Sequence, residues 1–163
     1  MNTNYQLNHK WCLWYHSIKI NEWDKNSYKS LFEVENLFDI DIIVNYIKSR
    51  YFHNSMFFFM KKGVFPHWED ENNINGSCIS LKIPKKGIEK SWKDIIFKII
   101  QENLFNDDKQ NNLNGISVTP KKEFNIIKFW LRDNAENYTE KLKEYEPYFI
   151  KSKALIKKHE LSD

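Results

Sequence analysis

Cysteine, proline and glycine are all scarce in this 163-residue chain, with two, four and four residues respectively. Two cysteines, Cys12 and Cys78, cannot build a disulfide framework and lack paired metal-ligand spacing. A reducing compartment is expected. Long hydrophobic runs are absent as well. The longest, residues 56–60, is far too short to cross a bilayer. The N-terminus lacks the charged-then-apolar pattern of a signal peptide, so the expectation is a cytoplasmic protein without membrane attachment. Neither charge sign dominates: 25 basic and 22 acidic residues leave a formal charge of +3, too mild for a nonspecific nucleic-acid coat. No internal repeat or low-complexity linker occurs.

Catalytic signatures are missing too. There is no Gly-rich phosphate loop, no Gly-x-Ser-x-Gly elbow and no His-Glu-x-x-His helix. His67-x-Glu69 has the form of half a zinc-deaminase motif, but the Pro-Cys-x-x-Cys half is absent. His9, His16, His53, His67 and His159 are scattered and read as surface or packing residues. The expectation is a non-enzyme that needs no metal or cofactor.

What the chain has in quantity is aromatic side chains, 26 of 163 residues, including six tryptophans. Its length suits one domain over residues 1–163, with flexible ends expected at 1–8 and 156–163. Residues 11–15 read as a first strand and 21–30 as a polar loop. Asp39 is placed to open a helix, with Ile40, Ile43, Val44 and Ile47 on one stripe. Residues 56–60 read as a buried strand ended by a turn at 61–63, and 72–76 as a loop. Ile79, Leu81 and Ile83 alternate with Cys78, Ser80 and Lys82 in strand period. A second helix carries Trp92, Ile95, Ile96, Ile99 and Ile100. A polar loop at 106–114 precedes strands at 116–119 and 126–131. Asn134 is placed to cap a third helix with Ala135, Tyr138, Leu142 and Tyr145 on its apolar face, and 148–155 reads as a last strand. Strands in pairs between single helices predict an α+β domain: an antiparallel sheet with helices on one face.

Trp11 shares strand parity with Leu13, and Trp92 lies on a helical stripe, so both belong in the core. Trp23, Trp68 and Trp130 do not fit that role. Trp23 stands in a polar loop between Glu22 and Asp24. Trp68 is followed by three acids. Trp130 has the parity of Lys128, opposite to Ile127, Phe129 and Leu131. Aromatic planes in loops beside a carboxylate suit a flat cationic ligand. Such a carboxylate accepts two N–H bonds from a ring edge, as guanine offers at N1 and N2, and methylation at N7 places positive charge on that base.

At this point the residues resemble the cap-binding translation initiation factor 4E family, from about Leu7 to about Leu155. Residues 11–15, Trp-Cys-Leu-Trp-Tyr, are similar to its opening strand. Residues 63–71, Gly-Val-Phe-Pro-His-Trp-Glu-Asp-Glu, are similar to its Gly-hydrophobic-x-Pro-x-Trp-Glu-Asp segment. Trp23, Trp92 and Trp130 fall where the family carries tryptophan, and Gly115 precedes Trp130 by fifteen residues as in the family. The resemblance implies a strongly curved antiparallel sheet with three helices on its convex face and a cap slot on the concave face. It implies that Trp23 and Trp68 sandwich 7-methylguanine, that Glu69 accepts the N1 and N2 protons, and that Trp130 lies against the N7-methyl group.

It further implies cap phosphates on basic residues: Lys121 stands where the family uses arginine, with Lys122 and Lys128 as the other candidates. A family arginine aligns with Cys78 and a phosphate-binding lysine with Ile126, so the phosphate side is expected to be weaker. Lys151 and Lys153 are candidates for the RNA backbone beyond the first nucleotide, against the alternative of a solvated tail. On the convex face, Tyr5, Leu7, Phe38 and Phe97 are the candidate docking surface for a helical peptide of a scaffold initiation factor or repressor. The implied function is a monomeric mRNA cap-binding initiation factor. The alternatives are a cap-binding repressor or decoy that does not recruit the scaffold, and a general single-strand RNA binder using the same aromatics. Glu69 argues against the last, because a carboxylate repels phosphate.

Overall fold

The computed structural model describes residues 5–106, 112–133, 138–145 and 147–159. Among these, seven strands form one antiparallel sheet: β1 (Gln6–Ser17), β2 (Lys29–Asn36), β3 (Ser55–Lys61), β4 (Ser77–Pro84), β5 (Leu113–Pro120), β6 (Phe124–Leu131) and β7 (Leu155–Lys158). Their order across the sheet is β2-β1-β3-β5-β6-β4-β7. Helices α1 (Leu37–Tyr46), α2 (Ser49–Asn54) and α3 (Ile88–Ile100) accompany it, with a single turn, α4, at Tyr138–Lys141. The sheet is curved and the domain is the expected α+β type. Register shifts interrupt the β1–β2 and β5–β6 pairings, and such bulges bend a strand and increase its twist.

The pleat sends alternate residues to opposite faces. Trp11, Leu13, Phe57, Phe59, Ile79, Leu81, Ile127 and Phe129 are buried in the main core with the helices. Their neighbours of opposite parity, Phe58, Met60, Cys78 and Trp130, join Tyr28 and Val64 in a second, smaller cluster. The helical stripes behave as their spacing predicts. Ile40, Ile43, Val44 and Ile47 are buried, as are Trp92, Ile95, Ile96 and Ile99.

Several elements differ from the sequence reading. Helix α1 starts at Leu37. Asn36 caps it by accepting from the Asp39 N–H at 3.1 Å, while the Asp39 carboxylate accepts from the Asn36 N–H at 3.3 Å. Asp39 is therefore the returning member of a capping box. Strand β2 occupies the stretch between the polar loop and this helix; it is an edge strand, so only part of its pattern is apolar. Helix α2 packs the fully buried Phe52 against Trp92 at 5.6 Å. Residues 148–154 turn instead of forming a strand: Tyr148 covers Gly87, and a tight turn spans Lys151–Lys153. The strand comes later, as β7, so the expected loose end from residue 156 is paired with β4 through Lys158. Of the expected third helix, Asn134 and Ala135 lie outside the described residues, and Leu142 and Tyr145 follow α4 in bridges to Phe105 and Phe149. Among the described residues no helix is long and apolar enough to cross a membrane.

Gly115 sits opposite Met60 in the β3–β5 pairing. A Cβ there would lie 2.4 Å from the Phe59 carbonyl oxygen and 2.5 Å from Met60 Sδ. Gly115→Ala is expected to lower unfolding stability by about 1–3 kcal/mol, since backbone cannot yield as a flexible side chain does. Urea denaturation of the two chains measures it.

Candidate functional site

The smaller cluster lies on the sheet face away from the helices, and two loops cover it. The first joins β1 to β2 and carries Trp23. The second joins β3 to β4 and carries Trp68 and Glu69. Tyr28 stands between them, with its ring centroid 6.1 Å from Trp23, 4.9 Å from Phe65 and 6.5 Å from His67. Burial pushes its hydroxyl pKa up to about 12.

Trp23 is 46% exposed. Its inner face lies on the imidazole of His16, at 4.1 Å between ring centroids and 7° between planes. Asp24 closes the loop by accepting from the Ser27 N–H at 3.0 Å. Trp68 is half-buried beside the second cluster, with the His67 ring 6.0 Å away at 27°. Glu69 is exposed, and its N–H donates to His67 Nδ1 at 3.2 Å.

The second loop is held from below by Asn73, which is fully buried. Its side-chain amide donates to the carbonyls of Phe65 at 3.0 Å and His67 at 2.9 Å, and its oxygen accepts from Asn114 at 2.9 Å. Asp70 accepts from the backbone and side-chain N–H groups of Asn72 at 3.1 and 3.0 Å. These bonds fix the backbone on both sides of Trp68 and Glu69, and leave the Glu69 side chain toward solvent.

Trp130 has the predicted parity but not the predicted exposure. It is buried, at 8%, and its Nε1–H donates to Ser117 Oγ at 3.0 Å. His159, just past β7, packs its ring 5.3 Å from Trp130. The His159 ring also meets the Asn73 carbonyl through Nδ1 at 2.8 Å and Cys78 Sγ through Nε2 at 2.9 Å. A carbonyl only accepts, so the ring proton is on Nδ1, and Nε2 accepts from the thiol. Burial pushes Cys78 up to about 12, so it is a neutral thiol and not a nucleophile. Burial lowers His159 below its ordinary value, and the nearby Lys128 charge lowers it further against the Asn73 bond.

Of the candidate phosphate ligands, Lys128 is half-buried on the Trp130 face of β6. Lys121 and Lys122 are exposed in the β5–β6 turn, at the other end of that strand. Lys151 and Lys153 are in the turn before β7, where the Lys151 N–H donates to the Glu144 carboxylate at 3.3 Å. Elsewhere, the rings of Tyr5 and Phe38 meet at 5.2 Å, and Phe38 is 65% exposed. Leu7 packs at the core margin, and Phe97 projects from α3. Tyr28 and Asn73 are not singled out by the sequence, and His16 and His159 read there only as surface or packing residues; the signal available for His16 is its β1 parity with Cys12 and Trp14.

The family described as Eukaryotic initiation factor 4E matches residues 6–155. The chain is 24% identical over 140 residues to eukaryotic translation initiation factor 4E-3 of Caenorhabditis elegans, covering 80% of this chain and 55% of the relative. With eukaryotic translation initiation factor 4E of Candida albicans it is 25% identical over 149 residues, covering 83% and 68%. It thus spans little more than half the length of the nematode relative. The crystal structure of Ascaris suum eIF4E-3 with m7G cap is similar in fold, with a TM-score of 0.72 at 22% identity over 82% of this chain and 76% of that one. The complex of C. elegans eIF4E-3 with the 4E-binding protein Mextli and cap analog gives 0.71 at 24% identity over the same shares.

The His159 assembly predicts a pH dependence. Between its ordinary value of 6.5 and its lowered folded value, the unfolded chain binds more protons than the folded one. Stability therefore falls as pH drops below 6.5. His159→Gln is expected to flatten that fall, leaving the part due to His9, which is also lowered. Thermal melts of both chains from pH 7.5 to 5 test it.

Proposed function

The chain belongs to the eukaryotic initiation factor 4E family, and from that membership we propose that it binds the 7-methylguanosine 5′ cap of mRNA and recruits capped messages for translation initiation. The observation that carries this is that the loop bearing Trp23 and the loop bearing Trp68 both meet Tyr28 at the smaller cluster, with the exposed Glu69 carboxylate following Trp68. Trp23 and Trp68 are the walls of the base slot, and cation–π attraction to both favours the positively charged methylated base. Glu69 accepts from N1 and N2, a charge-assisted pair that the N7 charge strengthens. Trp130 closes the end of the slot near the methyl group; its burial under His159 makes it a rigid floor more than a free platform. The task is binding, with no bond made or broken.

The phosphate side is weaker than the base side. Lys128 is the candidate phosphate ligand on the slot face, with Lys121 and Lys122 reaching the phosphates from the turn, and Lys151 and Lys153 meeting RNA further along. Lysine keeps the charge of arginine but not its bidentate fork. The neutral Cys78 thiol replaces a family arginine altogether.

The convex face is the partner surface, built on Tyr5, Leu7, Phe38 and Phe97. The solved complex of a nematode relative with the 4E-binding protein Mextli supports a protein ligand, and a helical peptide of a scaffold factor or repressor is the proposed one. The alternative function, a cap-binding repressor or decoy, shares the slot and differs only here. The protein acts as a cytoplasmic monomer in both.

Tryptophan fluorescence is expected to be quenched saturably by 7-methyl-GTP and far less by GTP. Trp68→Ala should weaken binding by about 1–3 kcal/mol, the usual range for one aromatic stacking partner, and Glu69→Ala should erase the preference for the methylated base. Equal quenching by both nucleotides in the parent chain rejects the cap reading in favour of general RNA binding. Affinity should fall less steeply with salt than for a family member with the full basic set; an equal slope rejects the weak phosphate side. Pull-down with a scaffold-derived helical peptide separates initiation factor from decoy: capture supports recruitment, and its loss in Phe38→Asp locates the surface.

A further inference from the structure

Trp23 is set in an otherwise exposed loop, yet a ligand wall must present one fixed plane. Residues 21–26 are all exposed, and the cap made by Asp24 ties the loop only to itself. The sheet-side anchor is His16, a β1 residue with no exposed surface. Its ring lies parallel to the Trp23 indole at 4.1 Å. Its Nε2 is 2.9 Å from the Glu22 carbonyl oxygen and 3.1 Å from Ser27 Oγ, which are on either side of Trp23. Its Nδ1 is 2.9 Å from the Ser17 carbonyl oxygen, on its own strand. Tyr28 braces the ring edge-on at 4.9 Å. One imidazole thus fixes both the tilt of the indole and the two ends of the loop that bears it.

We propose that His16 is the positioning residue of the Trp23 wall: it holds the indole in one plane from beneath and leaves it a single open face, so that the loop accepts one flat ligand on its outer side. His16 touches no ligand. It converts a mobile loop tryptophan into a preformed surface, and preorganisation of this kind raises affinity by removing the ordering cost from the binding step. With a base bound, the order of planes is His16, Trp23, base, Trp68. That last step rests on the cap reading; the His16–Trp23 arrangement does not.

A stacked imidazole quenches indole emission by contact, which gives a readout that needs no ligand. The emission attributable to Trp23 is the difference between a chain and its Trp23→Ala variant, measured with His16 present and with His16→Ala. It should rise when His16 is removed, at nearly unchanged far-UV circular dichroism. In the same set, His16→Ala should weaken 7-methyl-GTP binding about tenfold, the scale of one lost aromatic pair and its bonds. His16→Phe, which keeps a plane beneath the indole, should recover most of the affinity, and His16→Gln, which keeps a donor but no plane, should not. The proposal is overturned if His16→Ala leaves the Trp23 emission unchanged, or if His16→Phe binds as weakly as His16→Ala at the parent melting temperature. Should the parent chain ignore 7-methyl-GTP, the cap reading fails and the emission arm alone decides the role of His16.

Discussion

A sheet that is apolar on both faces must find cover for both, and this requirement organises the molecule. Strict alternation along β3 puts Phe57 and Phe59 against the helices and Phe58 and Met60 on the opposite side. The same alternation on β6 separates Phe129 from Trp130. The helix face is covered in the ordinary way, by stripes of isoleucine with Trp92 and Phe52. Among the described residues no α-helix contributes to the cluster on the other face. Its cover comes from two loops and from the residue after the last strand. A loop that covers apolar surface brings its own backbone polar groups, and each must be paired where it is buried. Asn73 answers that need for the second loop and His16 for the first. The side chains that let these loops act as a lid also fix the indoles of Trp23 and Trp68, so rigidity of the candidate site follows from covering the face.

Histidine recurs beside the candidate tryptophans: His16 under Trp23, His67 beside Trp68, His159 against Trp130. The ring is flat enough to pack on an indole and polar enough to bond backbone at its edge, a carbonyl for His16 and His159 and the Glu69 N–H for His67. Phenylalanine supplies only the first property, and asparagine only the second. At a junction between an aromatic surface and an irregular backbone, the combination is what the geometry requires. His67 is next to its tryptophan in the chain, whereas His16 and His159 meet theirs only in the fold.

What was legible in the sequence follows the same division. The helix stripes and the parity of β3, β4 and β6 were readable because each is a local period imposed by a large, uniform core. Trp23 and Trp68 were singled out by their polar, acidic surroundings and by the family's motif residues, not by any period. Strand β2 was missed because an edge strand needs few apolar residues: Val34 is its one fully buried position, while Leu31 is exposed. Helix α2 is six residues long, shorter than two turns, so its periodicity never completes. Residues 148–150 have the apolar run of a strand, but Tyr148 is needed over Gly87 and Phe149 in the core, so the segment turns and the sheet gains its last strand from a sequence that looks like a charged tail. Trp130 was placed on the correct face and given the wrong exposure for the same reason, since its cover is His159 at the end of that tail.

In the proposed function, base recognition and phosphate recognition rest on separate physics, which is why one is well marked in the sequence and the other is not. Stacking needs planes at fixed spacing, and the loops that set the spacing are bound into the fold through Asn73, His16 and Tyr28. Changing them disturbs the cover of an apolar face. Phosphate recognition needs only positive charge within reach, from side chains long enough to reach from several positions. Lys128 on the strand and Lys121 and Lys122 in the turn carry no packing duty comparable to that of Trp68. Cys78 makes the contrast concrete. At this position, where the resemblance implies an arginine, this chain has a thiol that is buried, neutral and bonded to His159. Cys78 serves the cover of the small cluster. A neutral group there leaves the loops that carry Trp23 and Trp68 in place, because His16 and Asn73 hold them.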